Sequence, residues 1–236
     1  MHHVVLEQWS RGETFLHRRD ARAKLLSTLG LLIAVATSRD NLEWVGGVVT
    51  MLLAAGAVAA RLPLASVLRR ACVVLPFCLT FGVVSVLAGD PARAVSLVVK
   101  GYVSSLTVIL LVGVTPLPDL LRGMEQLGVP RFLLMVAQFI YRYLFVISEQ
   151  AQHMRLSSQS RGGLRSRGGG FRAAAGALAV LFARSYDRAE RVHRSMIARG
   201  FDGRLRLLVA RPIGALDLLF LAAVLSSALA IRLLSA

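Results

Sequence analysis

Long apolar runs constrain this chain more than any other feature. Ala71–Ala88 (ACVVLPFCLTFGVVSVLA) and Trp44–Ala60 hold no charged residue. A helix needs about 20 predominantly apolar residues to cross a hydrocarbon core about 30 Å thick. Leu25–Thr37, Ala94–Thr115 and Pro212–Leu234 complete a set of five candidate spans. Leu25–Thr37 is short, and starts earlier if Arg22 and Lys24 carry their charges to the interface on their aliphatic stems. Ala94–Thr115 contains Lys100, and a charge at mid-bilayer costs about 2.5–3.5 kcal/mol. Lys100 lies less than two turns from that segment's start, so its amine is expected to reach the outer interface. Pro212 suits a first helical turn.

Charge orients the spans. The chain has 236 residues, 56% hydrophobic, with 28 Lys and Arg against 13 Asp and Glu, a formal net charge of +15. Apolar bulk with surplus positive charge points to an all-α integral membrane protein with a basic cytoplasmic side. Nucleic-acid binding, the other usual reading of such charge, does not account for the apolar runs. With the N-terminus in the cytoplasm, 24 Lys and Arg fall inside, among them Arg61, Arg69, Arg70 and sixteen arginines in 116–211. Arg39, Arg93 and Arg232 fall outside. The N-terminus has no apolar region before Lys24, so the first span is expected to direct insertion rather than a cleaved signal.

The expected organisation is a cytoplasmic N-terminal segment (1–24), a four-helix transmembrane region (25–115), a cytoplasmic helical subdomain (116–211) and a C-terminal transmembrane helix (212–236). Within 116–211, RFLLMVAQFIYRYLFVI (131–147) is apolar enough to pass for a sixth span. Crossing there would strand Arg155, Arg161, Arg165, Arg167 and Arg172 outside, with Gln138 and Arg142 at depth, so the segment is placed in the cytoplasm. TPLPDLLRGMEQLGV reads as a short helix between Pro118 and Gly128. Pro130 opens a long helix to about Gln159, and the glycines of SRGGLRSRGGG break it. A second long helix runs from about Phe171 to Arg199. Leu178, Phe182, Ala189, Val192 and Met196 form an apolar stripe on it. Asp187–Arg191 and Glu190–Arg194 sit at i, i+4 with the acid first.

No Gly-rich phosphate loop, HExxH, GxSxG or Cys/His cluster occurs. No catalytic, cofactor-binding or metal-ligating residue is therefore assigned, and the chain reads as non-catalytic. Cys72 and Cys78 fit no zinc or redox spacing. Chelation by Met1-His2-His3 is the weaker reading beside solvated terminal histidines. No acidic residue lies deep in a span, where ion-coupled carriers place them.

Two long basic helices each end in a short x-Arg-Gly signature, Ser160-Arg161-Gly162 and Ala198-Arg199-Gly200. With FLHRRDARAKLL, FIYRYLFVISEQAQHMR and above all RSYDRAERVHRSMIARGFDG, the chain resembles the T component of energy-coupling-factor (ECF) transporters, closest to the cobalt-type CbiQ branch. The resemblance covers most of the chain. Ser160 stands where many members have Ala, and both residues are small. The resemblance implies an import complex in the cell inner membrane, with two ABC-type ATPase subunits beneath this chain and a small membrane S component that binds the substrate beside it. It implies that Arg161 and Arg199, flanked by Ser160, Gly162, Ala198 and Gly200, dock into the ATPases. It also implies cobalt ion as substrate, with nickel or a vitamin as alternatives, and membrane lipid but no nucleic acid as a further partner.

Two rival classes are the permease of another ABC importer and a membrane-embedded transferase. The first usually presents one EAA-like coupling loop; the second needs His, Asp or Glu at membrane depth. Neither feature is present. For Arg184, Arg188, Arg191 and Arg194 a solvated or headgroup-facing surface is the preferred reading. SRGGLRSRGGGF reads as a cytoplasmic connector rather than an RNA-binding RGG box, because no aromatic residues interleave it. Gln138 and Arg142 are read either as partner contacts or as groups satisfied within the subdomain.

Overall fold

The computed structural model describes residues 9–10, 12, 14–38, 42–162, 169–203 and 214–234, and among them all regular structure is helical. The Met1-His2-His3 terminus, Arg165 and Arg167 of the connector, Arg39 and Pro212 lie outside the described residues. Two compact units form, one from residues 1–128 with 211–236 and one from residues 129–210.

The first unit contains α1 (Ala21–Thr37), α2 (Leu42–Ala59), α3 (Leu64–Ala71), α4 (Leu75–Leu87), α5 (Pro91–Val114), α6 (Leu117–Gln126) and α9 (Ala215–Leu234), of which α1, α2, α4, α5 and α9 fall on the five expected spans. At 1.5 Å per residue the 24-residue α5 is about 36 Å long, enough to cross the bilayer core. Helix starts follow ordinary chemistry. Asp20 and Asp90 cap α1 and α5, accepting from the backbone N–H of Arg22 (2.8 Å) and Arg93 (3.0 Å). Proline occupies the first turn of α4, α5 and α6, where no N–H is needed.

The expected loop 61–70 is largely helical. Leu64, Val67, Leu68 and Ala71 recur at helical spacing, and α3 buries Val67 and Ala71. A 3₁₀ turn, Cys72–Val74, joins α3 to α4 in one 24-residue apolar helix, Leu64–Leu87. Pro76 has no N–H to offer the Cys72 carbonyl, so Leu75 donates to it instead and the turn tightens.

α5 is central. It packs on α1, α2, α3 and α4, while α1 also packs on α6 and α9. Small residues set these approaches, as is common between membrane helices. A Cβ at Gly101 of α5 would overlap Cys78 Sγ of α4, one at Gly46 of α2 would overlap Val99, and one at Gly30 of α1 would overlap Leu225 of α9. Leu31, Val35, Val49, Leu53, Val103 and Leu106 form the buried centre. Outer faces stay apolar: Phe77, Phe81, Val84 and Leu87 of α4 are all exposed, as expected of a surface solvated by lipid.

Two lysines tie the antiparallel α1–α5 pair at opposite ends. Lys24, near the start of α1, donates to the carbonyls of Val114 at the end of α5 (3.3 Å) and His17 (3.1 Å). Lys100, in α5, donates to Ala36 (3.1 Å) and Ser38 (2.6 Å) at the end of α1. Lys100 was expected to reach for the outer interface; in the structure its amine meets carbonyls left over at the C-terminus of α1. Charge-assisted hydrogen bonds contribute about 1.5–3 kcal/mol. Lys100→Met should therefore lower the apparent melting temperature in detergent, whereas an unchanged melting curve would mean that water serves those carbonyls as well.

Candidate functional site

The second unit contains α7 (Arg131–Ser160) and α8 (Gly169–Ala198), both of 30 residues. Pro130 precedes α7, as expected. The second half of α7 faces the first half of α8 across an open groove of about 710 Å³, lined by Val146, Gln150, Met154, Ala173, Ala177 and Arg161 among others. Small residues on α8 admit the larger side chains of α7.

α7 is long and apolar enough to cross a membrane by length and composition. Its aromatic residues interact along the helix: Phe139 and Tyr143 stack at 6.4 Å, and Tyr141 meets Phe145 edge-on at 5.4 Å. The Arg142 guanidinium lies over the Tyr143 ring at 5.9 Å, and Gln138 is half-buried. The expected stripe on α8 divides. Val192 and Met196 are half-buried, while Leu178, Phe182 and Ala189 are exposed. The half-buried line is instead Ala173, Ala177, Leu181, Ser185, Arg188, Val192 and Met196, so Arg188, unlike Arg184, Arg191 and Arg194, is not on the exposed surface expected of it. Glu190–Arg194 closes at 2.5 Å, whereas Asp187 and Arg191 form no ion pair.

Both x-Arg-Gly signatures occupy the same structural position. Arg161 is the first residue beyond α7 and Arg199 the first beyond α8. Each is followed by a glycine in the left-handed region, Gly162 at φ 73° and Gly200 at φ 79°. Gly162 N–H donates to Gln159 (3.0 Å) and Gly200 N–H to Ile197 (2.9 Å). At the second end Phe201 N–H also donates to Met196 (3.0 Å), which completes a Schellman motif. α2 closes with the same pair of bonds, but there a non-glycine residue, Arg61, takes the left-handed position at φ 54°.

Ser160, Arg161, Gly162, Ala198, Arg199 and Gly200 are all exposed, and neither Arg161 nor Arg199 forms an ion pair among the described residues. Each guanidinium thus sits free at the negative end of a helix dipole, beside small residues that admit a close partner. The structure does not bring the two together. Arg161 lines the groove beside Ala173 and Ala177, and Arg199 ends the same α8 helix, on the order of 35 Å further along it at 1.5 Å per residue.

Sequence reasoning assigned no role to a polar cluster in the first unit. Asp217, in the first turn of α9, accepts from the Gly214 N–H (3.1 Å), the one half of a capping box that a glycine N-cap allows. It also accepts from the Asp20 N–H (3.3 Å) and pairs with Arg19 (3.5 Å), which lies over the Phe15 ring at 3.7 Å. Arg22 donates to Gln126 of α6. Lys24, the residue before the first apolar stretch, is buried in the first turn of α1. The signal was the density of charge in HRRDARAK where a span begins.

An L-residue with a side chain costs about 1–2 kcal/mol in the left-handed region. Gly200→Ala should therefore fray the last turn of α8, raising hydrogen exchange at the residue 200 and 201 amides about tenfold. Unchanged exchange there would show that the glycine conformation does not hold the helix end.

Residues 12–209 match the family model CbiQ, cobalt transport protein. The chain is 34% identical over 122 residues to the cobalt transport protein CbiQ of Rhodobacter capsulatus, which covers 52% of this chain and 50% of that protein. It is 31% identical over 108 residues to the uncharacterized protein MJ1089 of Methanocaldococcus jannaschii, covering 46% and 40%. The chain thus spans half or less of the length of these two relatives. With the energy-coupling factor transporter transmembrane protein EcfT of Acidaminococcus fermentans it shares 27% identity over 235 residues, covering 86% and 87%. A membrane-spanning helical fold, paired Arg-Gly helix ends and a family match over most of the sequence converge: the chain belongs to the CbiQ cobalt transport protein family, the family of the EcfT/CbiQ transmembrane components.

Proposed function

We propose that this chain is the transmembrane coupling subunit of an ECF-type importer, docking two ABC-type ATPases through Arg161 and Arg199 and driving a separate substrate-binding S component. The observation that carries this is the pair of matched helix ends, each presenting an unpaired guanidinium between small residues. A rigid guanidinium fork suits a carboxylate or carbonyls in a partner's cleft. Two such ends on the order of 35 Å apart suit two subunits better than one small-molecule site.

On this reading residues 116–211 are cytoplasmic and the N-terminus is inside. Closure of the ATPases on ATP would change the distance between the two arginine-bearing ends. α7 and α8 would carry that motion as levers, and their exposed apolar residues, Phe132, Ile140, Leu178 and Phe182 among them, would press it onto the S component so that its site opens inward. This subunit breaks no bonds; ATP is hydrolysed in its partners. Cobalt ion is the proposed cargo, because the family model and the R. capsulatus relative both carry that description.

Changing Arg161 and Arg199 together to Glu should abolish co-purification of the ATPases while membrane insertion stays intact. Retained ATPases would remove the docking role. Arg161→Lys should also weaken association, since an ammonium lacks the planar fork, and full retention would reduce Arg161 to a solvated cation.

A further inference from the structure

The first unit holds a cavity of about 340 Å³ among α1, α2, α5 and α9. The packing order explains it. α9 lies on α1, α1 on α5 and α5 on α2, but α2 and α9 do not pack along one another. α1 and α5 therefore form a floor, and α2 and α9 two walls. Leu52 and Ala223 on those walls are exposed at the rim, so the cavity opens sideways, toward lipid in a membrane.

Its lining is apolar except for a few polar groups, Lys24, Ser27, Thr28, Thr107 and Ser227, and the first three keep unused donors. Ser27 is 4% exposed, and its buried hydroxyl has no hydrogen-bond partner. Lys24 uses two of its three ammonium hydrogens, on His17 and Val114. By contrast, the Thr107 hydroxyl donates to Val103 and that of Ser227 to Val224. Burying a hydroxyl without a partner is costly, so the unfilled needs of this pocket are for an acceptor oxygen beside an apolar chain. Two turns of a transmembrane helix about 10 Å across would occupy roughly 850 Å³, far more than the cavity offers.

We propose that this cavity binds one acyl chain of a membrane phospholipid, with an ester or phosphate oxygen of that lipid accepting from Lys24 and Ser27. The lipid fills the gap between α2 and α9 on the side where α1 begins. The site depends only on the chain lying in a membrane and is independent of the docking role of Arg161 and Arg199.

The test uses the full chain, delipidated in mild detergent, titrated with palmitoyl-oleoyl phosphatidylglycerol and read by native mass spectrometry. One lipid per chain should be retained. Gly56 lines the cavity, and a Cβ there meets Leu110 at an ordinary 3.5 Å. Gly56→Leu should therefore fill the space, cutting occupancy about fivefold or more while leaving melting in lipid-free detergent unchanged or raised. Should that variant fail to fold, Ala223→Leu at the rim repeats the test. Ser27→Ala should weaken retention roughly three- to tenfold. Equal retention of free oleate would reassign the site to a fatty acid and overturn the phospholipid assignment. No stoichiometric lipid in the wild type, equal occupancy in the filled variants, or occupancy only by a co-purifying membrane protein would overturn it as well.

Discussion

An apolar surround leaves the last carbonyls of a helix with nothing to bond to unless the protein supplies a donor. Lys24 and Lys100 meet that requirement for α1 and α5, the two helices on which the rest of the first unit is assembled. Because the helices are antiparallel, one lysine near each start reaches the other's end. Any slip of one helix along the other would break bonds at both ends together. The glycine approaches at Gly30, Gly46 and Gly101 then set how closely α9, α2 and α4 settle against this pair.

The second unit handles helix ends differently. α7 and α8 close with a left-handed glycine that turns backbone N–H groups back onto the final carbonyls. The arginine before each glycine is not consumed in closing the helix, so its side chain stays exposed and unpaired. A rigid helix with a free cation at its tip, small neighbours and an abrupt chain exit makes a simple lever end. Two of them, far apart along α8, fit a role in transmitting movement between partners rather than in gathering groups around a substrate.

The apolar runs made the helices legible, and proline and glycine marked most of their ends: Pro118 and Gly128 around α6, Pro130 before α7, Gly200 after α8. The paired Arg-Gly triplets were legible as sequence, although that both fall at the same capping position is a geometric fact. Less was readable where tertiary partners decide. Lys100 looked like a residue seeking water, since nothing local shows that the carbonyls of Ala36 and Ser38 lie within reach. Leu178 and Phe182 shared a stripe with Val192 and Met196 by spacing, but small residues on α8 turn a different line toward α7. The helix in 64–71 was missed because Arg69 and Arg70 drew attention to topology, although Leu64, Val67, Leu68 and Ala71 carried the period.

Whether this chain works as a coupling subunit is tested most directly by purifying it, tagged, from its native host in mild detergent and identifying what accompanies it by mass spectrometry. ABC-type ATPases should accompany it together with a small, very apolar second membrane protein, whose identity would name the cargo. Recovery of the chain alone, folded and monodisperse, would rule out a coupling role.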